Sequence, residues 1–250
     1  MKKFTTNVIT LRSYNLSESD KIVVMYSKDK GLLRCVAKGV KKPSSKIGSC
    51  FDSLIASEVL ISKGSKLDIV SQAQGINSFS ALRKDFSKLS YAMYCADVIN
   101  AFSLEDDTES IEIYELFYNT LKALAESKNK LNTILCAMKF QLNFMTLLGY
   151  GLELDNCVKC LCPVGETVVF SKSAGGILCP ECAENNSSHT SAKLVTFFKK
   201  IAGTPFESKF FTDEELKNEL TIMYCFNLMK DYIQWRSPKK LKAQELLEIV

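Results

Sequence analysis

Residues 21–40, KIVVMYSKDKGLLRCVAKGV, place two apolar runs on either side of a short polar turn. Val, Ile and Leu favour strands, and the Lys-Asp-Lys-Gly stretch can reverse the chain. Similar runs, separated by turn residues such as Lys63-Gly64-Ser65, fill the first part of the chain. The five predicted strands are Thr5–Ser13, Lys21–Ser27, Gly31–Val40, Ser53–Ser62 and Lys66–Gln74. Five short strands in this span favour a small closed barrel of the OB kind, although an SH3-like barrel would produce a similar pattern.

Beyond Ser78 the apolar residues recur at steps of three and four, which indicates amphipathic helices. We predict helices at about residues 82–100, 108–126, 130–148, 191–202 and 213–235, and a short last helix after Pro238. Residues 150–190 lose the periodicity and carry Cys, Gly and Pro. The predicted fold class is therefore α+β: an OB-like β-barrel in residues 1–78, then an α-helical domain in residues 79–250 with a zinc-binding segment at about 150–190.

Four cysteines have the spacing of a metal site. Cys157-Val158-Lys159-Cys160 and Cys179-Pro180-Glu181-Cys182 form two C-x2-C pairs. Each tight turn can place two sulfurs on one metal, and two such turns complete a tetrahedron. Thiolate ligands select zinc over hard cations, so we expect one structural Zn²⁺ per chain held by Cys157, Cys160, Cys179 and Cys182. Gly175-Gly176 supplies the backbone freedom that a close approach before the second pair requires.

Cys162 leaves one alternative open, because it follows Cys160 by two residues and could compete as a ligand. The only histidine, His189, lies in a polar stretch that we interpret as a surface loop. Four sulfur ligands leave no coordination position for an activated water. The chain also lacks a Walker loop, G-x-G-x-x-G, a nucleophile elbow and H-E-x-x-H. We therefore predict that the protein is not an enzyme.

The positive charge is concentrated in the first third of the chain. Residues 1–80 hold 13 Lys and Arg against 6 Asp and Glu, whereas the whole chain has a net charge of only +4. Such asymmetry indicates a module that binds a polyanion. No stretch reaches the ~20 apolar residues of a membrane span, and no apolar signal segment follows the first lysines, so we expect a cytoplasmic protein that makes no membrane contact.

The stretch from Lys30 to Phe51 contains six Lys and Arg residues and no acidic residue. It includes Gly, Pro and Ser residues that predict a flexible loop, and lysines on such a loop can follow a phosphate backbone. The candidate nucleic-acid contacts are Arg34, Lys38, Lys41, Lys42 and Lys46. A solvated basic loop without a ligand is the alternative. Nearby aromatics that could stack on bases or belong to the core are Phe4, Tyr14, Tyr26 and Phe51.

Several motifs resemble the RecO family of bacterial recombination. They are Leu147-Leu148-Gly149-Tyr150 leading to Cys157, the segment Phe170-Ser171 with Ala174-Gly175-Gly176-Ile177-Leu178-Cys179-Pro180-Glu181-Cys182, the turn at Glu18-Ser19-Asp20-Lys21, Gly31-Leu32-Leu33, and the stretch 37–48. Together they span about residues 8–183. The resemblance implies an OB barrel, a helical bundle and a zinc-binding segment.

The resemblance also implies a function. A RecO-like protein would bind and anneal single-stranded DNA, bind double-stranded DNA, and act with RecR and single-stranded DNA-binding protein in loading RecA. It would be cytoplasmic and associated with the nucleoid. Its basic loop carries lysine where the family often has arginine, so we expect charge attraction rather than bidentate phosphate contacts. A zinc-ribbon factor that binds RNA and a metal-dependent nucleic-acid enzyme remain the alternatives.

Overall fold

The computed structural model describes residues 3–163, 165–184, 188–204 and 218–249 of the 250-residue chain. In chain order the elements are β1 (Lys3–Asn15), β2 (Lys21–Ser27), β3 (Gly31–Ala37), β4 (Ala56–Ser62), β5 (Asp68–Asn77), α1 (Phe86–Phe102), α2 (Ser110–Glu126), α3 (Lys130–Leu147), β6 (Thr167–Ser171), β7 (Gly176–Leu178), β8 (Ser188–Ser191), α4 (Ala192–Gly203), α5 (Glu219–Arg236) and α6 (Gln244–Leu247). Short 3₁₀ turns occupy Gly48–Phe51, Ser80–Lys84 and Pro180–Cys182.

The first five strands close into a barrel in the order β1-β2-β3-β5-β4. Neighbouring strands are antiparallel except β3 and β5, which pair in parallel through Cys35–Asp68 and Ala37–Val70. This order and its single parallel pair are those of an OB barrel, so the predicted OB-like fold is confirmed.

The barrel is buried on its inside and on part of its outside. Side chains of alternate residues fill the interior, because successive strand residues point to opposite faces. The main interior residues are Val8, Val23, Met25, Cys35, Ala37, Phe51, Val59, Ile61 and Val70. On the outer face Ile9, Val24 and Tyr26 are also buried, since α1 contacts β1 and α2 contacts β1, β2 and β3. This double burial explains why β2 reads as a continuous apolar run.

Polar contacts connect the β2–β3 turn to the segment before α2. Tyr26 donates a hydrogen bond from Oη to Asp107 Oδ2 at 3.2 Å, and burial raises the pKa of this tyrosine, with the Asp107 charge adding to the shift. Gly31 has φ +62°, and a Cβ there would lie 2.6 Å from the carbonyl oxygen of Leu104. Glycine is therefore required at this turn, where the backbone of Leu32 also donates to Leu104.

The chain forms two compact units. Residues 1–126 and 241–250 form the first, and residues 127–240 form the second. In the first unit α6 packs on α1, and Asp97 accepts a hydrogen bond from the Ala243 backbone at 3.0 Å. Because α1 is buried on most sides, its sequence carries little amphipathic contrast. These units group α1 and α2 with the barrel, and the division into domains at residue 78 stays a prediction.

In the part of the second unit that the structure describes, helices α3, α4 and α5 accompany a small sheet. Helix α3 packs against α4 and α5, and the sheet has the order β7-β6-β8. Caps begin two of the helices: Asn129 accepts from the Asn132 backbone at 2.9 Å, and Asn218 accepts from the Thr221 backbone at 3.1 Å. No helix in the described part of the chain is long and apolar enough to cross a membrane.

The structure corrects the interpretation of residues 150–190 at two points. This segment carries β6 and β7, and β8 begins within it, whereas only irregular structure was predicted there. His189 lies in β8, so the surface loop predicted at this residue is wrong. The predicted helix at 213–235 is described only from Glu219, because residues 205–217 lie outside the described part.

Candidate functional site

The two C-x2-C pairs lie together in the second unit. Cys157 and Cys160 belong to the loop before β6, Cys179 follows β7 directly, and Cys182 ends a 3₁₀ turn. Their four Sγ atoms all lie within 4.8 Å of one another. Cys157 and Cys179 are buried, whereas Cys160 is exposed. The four cysteines could therefore hold one metal ion.

Backbone hydrogen bonds shape the loop that carries the first pair. Leu161 donates from its backbone to the Cys157 carbonyl at 2.9 Å, which closes a turn around Cys160. Val158 donates to the carbonyl of Ile177 in β7 at 3.0 Å, and this bond brings the first pair beside the strand that leads to the second.

Gly176 permits that approach. A Cβ at this position would lie 2.5 Å from the carbonyl oxygen of Glu153 and 2.7 Å from Cγ2 of Val158. The preceding Gly175 has φ +76°, a left-handed conformation that glycine adopts without strain. The structural need predicted for Gly175-Gly176 is confirmed.

The electrostatics of the group favour a bound cation. Hydrogen bonds from backbone N–H groups, that of Cys160 foremost, lower the pKa of Cys157 to about 6. A hydrogen bond with the Cys160 sulfur raises the pKa of Cys162 to about 12, and one with the Cys179 sulfur similarly raises the pKa of Cys182 to about 12. Close thiols cannot all lose their protons unless a cation neutralises them. The soft donors, their distances and the N–H groups directed at sulfur fit a Zn²⁺ ion.

Cys162 lies beside this group without belonging to it. Its Sγ atom is 3.1 Å from that of Cys160, yet it is not among the four sulfurs that are mutually within 4.8 Å. Its carbonyl accepts a hydrogen bond from the Cys157 backbone at 2.9 Å, which gives the residue a structural part in the loop. At the rim, Lys159 and Glu184 form an ion pair of 2.7 Å.

The candidate nucleic-acid contacts lie on the barrel. Arg34 is on β3, and the four lysines lie in the loop between β3 and β4, which we call the basic loop (residues 38–47). All five side chains are exposed. Among the described residues, none of the five has a carboxylate within 4.0 Å. Their charges are therefore open to a ligand.

The basic loop is anchored to the β1–β2 turn. Gly39 donates from its backbone to Asp20 Oδ1 at 2.8 Å, and this bond is the main reason that the pKa of Asp20 is lowered. Lys41 donates from its backbone to the Ser19 carbonyl at 3.0 Å and from Nζ to the Ser17 carbonyl at 3.1 Å. Val40 is buried in the barrel core. The base of the loop is thus held in place while its lysines face solvent.

Arg34 is separated from the basic loop. It lies four residues before Lys38, about 13 Å along an extended chain. Its side chain lines a cavity of about 520 Å³, together with Lys66 and the acids Asp68, Glu105 and Asp106. Lys30 and Lys63 line the same cavity but pair with Asp106 and Asp68, at 3.3 and 3.0 Å. The structure thus brings the four lysines onto one loop and places Arg34 in a mixed-charge cavity.

The four aromatics near the basic stretch differ in exposure. Tyr26 and Phe51 are fully buried, so they belong to the core, whereas Phe4 is half-buried beneath the Lys63 ammonium. Tyr14 is 46% exposed, with the Arg12 guanidinium 5.2 Å from its ring centre. It lies near the β1–β2 turn that anchors Lys41. Sequence reasoning could not single out Tyr14, because its face depends on the strand register.

Comparisons with known proteins agree with this architecture. A family model described as "Recombination protein O N terminal" matches residues 1–79, and one described as "Recombination protein O C terminal" matches residues 83–245. A "DNA repair protein RecO" of Desulforamulus reducens is 29% identical over 255 residues, which cover 99% of this chain and 95% of that protein.

Two further relatives carry the same name. That of Acetivibrio thermocellus is 31% identical over 186 residues, covering 74% of this chain and 73% of that protein. That of Rubrobacter xylanophilus is 32% identical over 183 residues, covering 73% of this chain and 72% of that protein. The barrel, the cysteine group and these matches together show that the chain belongs to the RecO family of DNA repair proteins.

Proposed function

We propose that this protein is a recombination mediator in DNA repair that binds single-stranded DNA through the basic loop of its barrel. The observation that carries the proposal is the group of four exposed lysines, Lys38, Lys41, Lys42 and Lys46, which lie on an anchored loop without carboxylate partners among the described residues. Phosphate binding needs positive charge more than exact geometry, and such a loop provides it.

Annealing follows from the same charge. Two complementary strands repel each other through their phosphates, and a cationic surface that binds both reduces this repulsion. Tyr14 adds an exposed ring near the loop on which a base can stack. Double-stranded DNA presents the same phosphates, so we expect it to bind as well.

The cysteine group would hold one structural zinc ion. Cys157, Cys160, Cys179 and Cys182 supply all four ligands of a tetrahedral site, so the ion would stabilise the loop before β6 rather than activate a water. We therefore propose that the protein is not an enzyme. A metal-dependent nucleic-acid enzyme would need an open coordination position, which four thiolates do not leave.

Membership of the RecO family supports the proposed partners. We propose that the protein acts with RecR and with single-stranded DNA-binding protein to load RecA, which it would meet indirectly. The proposed location is the cytoplasm, in association with the nucleoid.

The experiment is a comparison of two quadruple variants. Lys38, Lys41, Lys42 and Lys46 are changed to Ala in one variant. In the control, four exposed lysines outside the loop are changed instead: Lys84, Lys122, Lys128 and Lys172. Both variants lose four positive charges, so net charge alone cannot separate them. Fluorescence anisotropy of a labelled single-stranded oligonucleotide should show a large loss of affinity for the loop variant and a small one for the control.

Equal losses in the two variants would show that the loop is only a solvated surface. Competition with RNA of the same sequence at one salt concentration tests the nature of the ligand. Preference for RNA would contradict the DNA assignment and favour the RNA-binding alternative.

A further inference from the structure

An arginine in the second unit is surrounded by aromatic rings. The guanidinium carbon of Arg236 lies 4.8 Å from the ring centre of Trp235 and 5.4 Å from those of Tyr150 and Tyr232. We call these four residues the aromatic–arginine cluster. They come from the end of α5 and from the residue that follows the turn after α3, so the cluster forms only in the folded chain.

One ring of the cluster is buried and two are partly exposed to solvent. Tyr232 is buried, donates from Oη to the Tyr150 carbonyl at 2.9 Å and meets the Phe170 ring edge to face at 6.1 Å. Trp235 and Tyr150 are 47% and 42% exposed. Two large rings at such exposure beside one another present apolar surface to water, and contiguous surface of this kind can mark a binding site.

The charge of Arg236 is not neutralised by the described part of the chain. No described carboxylate forms an ion pair with it, and its buried Nε atom makes no hydrogen bond to a described residue. The rings hold the guanidinium by cation–π contact, which leaves its positive charge available. Lys239 and Lys240 follow within four residues, and residues 236–240 contain no acid.

Exposed rings beside an unneutralised guanidinium match one ligand chemistry. The bases of a single strand offer flat faces for stacking, and its phosphates offer negative charge beside those bases. A base-paired duplex hides its base faces, and an acidic peptide lacks them. We infer that the aromatic–arginine cluster is a second contact site for single-stranded DNA, in which Trp235 and Tyr150 stack on bases and Arg236 attracts phosphate.

The cysteine group supports this site. The turn between β6 and β7 runs under the cluster, and a Cβ on Gly175 would lie 3.1 Å from Nη2 of Arg236 and 3.4 Å from Oη of Tyr232. The same turn leads through β7 to Cys179. A metal ion on the four cysteines would thus also hold the floor of the cluster in place.

The inference rests on the proposed binding of single-stranded DNA, and its test separates the two claims. Trp235 is the only tryptophan of the chain, so its fluorescence reports on this site alone. The full chain is titrated with an oligothymidylate of about 20 nucleotides, longer than one OB-fold site. Fluorescence quenching should saturate at the concentration at which a labelled oligonucleotide shows saturation by anisotropy.

Variants complete the test. Trp235→Ala should weaken binding about tenfold, as expected for loss of one stacked base, while Trp235→Phe should retain most of the affinity. Leu220→Ala is the matched control, because Leu220 is 83% exposed at the other end of α5, and it should bind as the unchanged chain does.

Binding by anisotropy without a change in Trp235 fluorescence, and with unchanged affinity in Trp235→Ala, would overturn the inference and leave the proposed function standing. Absence of any binding by the unchanged chain at low salt would overturn both. Tighter binding of an oligouridylate than of the oligothymidylate would overturn the assignment to DNA.

Discussion

Changing Cys179 to Ser removes one of the four close sulfurs and tests the metal centre. Among the described residues, the buried members of the cluster around it are Cys157, Leu178 and Cys179, and four partly buried residues pack against them: Val158, Cys162, Ala174 and Cys182. At about 1.5–3 kcal/mol for a large apolar side chain that is fully buried, this cluster stabilises the segment by a few kcal/mol at most. Structural zinc contributes far more, about 10–16 kcal/mol in small zinc-dependent folds. Metal binding should therefore be the main stabiliser of the loop that carries Cys157 and Cys160.

The expected result is a loss of most bound zinc and of at least about 3 kcal/mol of unfolding free energy. For a chain of this size, that loss lowers the melting temperature by about 6–12 °C. Zinc is measured by metal analysis of gently purified protein, and stability by thermal unfolding. Cys162→Ser is the control: its sulfur lies outside the group of four, so the variant should keep about one zinc per chain and its melting temperature.

Two results would refute this reasoning. Unchanged protein that contains no zinc would show that the four cysteines hold no such ion. Equal loss of zinc from Cys162→Ser and Cys179→Ser would show that the ligands are wrongly assigned.

Three further expectations can be checked on purified protein. Gly176→Ala should destabilise the chain by about 2 kcal/mol, because the new Cβ would lie 2.5 Å from the Glu153 carbonyl oxygen. Thermal unfolding measures this loss, and Gly165→Ala is the control because a Cβ there meets nothing within 4 Å. Asp20→Ala should lower the melting temperature at pH 7. Because the pKa of Asp20 in the folded state lies below its ordinary 3.8, the difference in melting temperature should persist down to about pH 4 and shrink as the pH falls through the folded-state pKa. A difference that does not depend on pH would contradict the role of the carboxylate. Neither DNA nor ATP should be hydrolysed, and turnover that disappears in a cysteine or acidic point variant would contradict the non-enzymatic account.

Local sequence signals predicted the barrel strands well. All five were predicted from apolar runs and turn residues, and Lys21–Ser27 matches β2 at both ends. Their order in the barrel depends on the parallel pairing of β3 with β5, which lie about 30 residues apart. Composition and periodicity carry no information on such long-range pairing, so the choice between an OB and an SH3-like barrel needed the structure.

The small sheet of the second unit was missed for a different reason. β7 has three residues and β6 has five, which is too short for a periodic pattern. The run Val168-Val169-Phe170 was a usable signal, but the cysteines and glycines around it were interpreted as irregular structure.

The candidate sites also divide into those that a local sequence signal predicts and those that depend on long-range contacts. The cysteine group was predictable because C-x2-C spacing is a local property, and its four sulfurs do lie together. Arg34 was grouped with the lysines because it is near in sequence, yet it lines a separate cavity. The aromatic–arginine cluster joins Tyr150 to residues of α5 more than 80 positions away, and only the folded chain reveals it.

The central claim, that the basic loop binds the DNA backbone, is tested most directly by the salt dependence of affinity. Each phosphate contact releases condensed counterions, so log K for a single strand falls with log salt at a slope of about −0.7 per contact. If all four loop lysines contact phosphates, changing Lys38, Lys41, Lys42 and Lys46 to Ala should flatten this slope by up to about 3 units. The melting temperature of the variant should barely change. An unchanged slope in this variant would contradict the account.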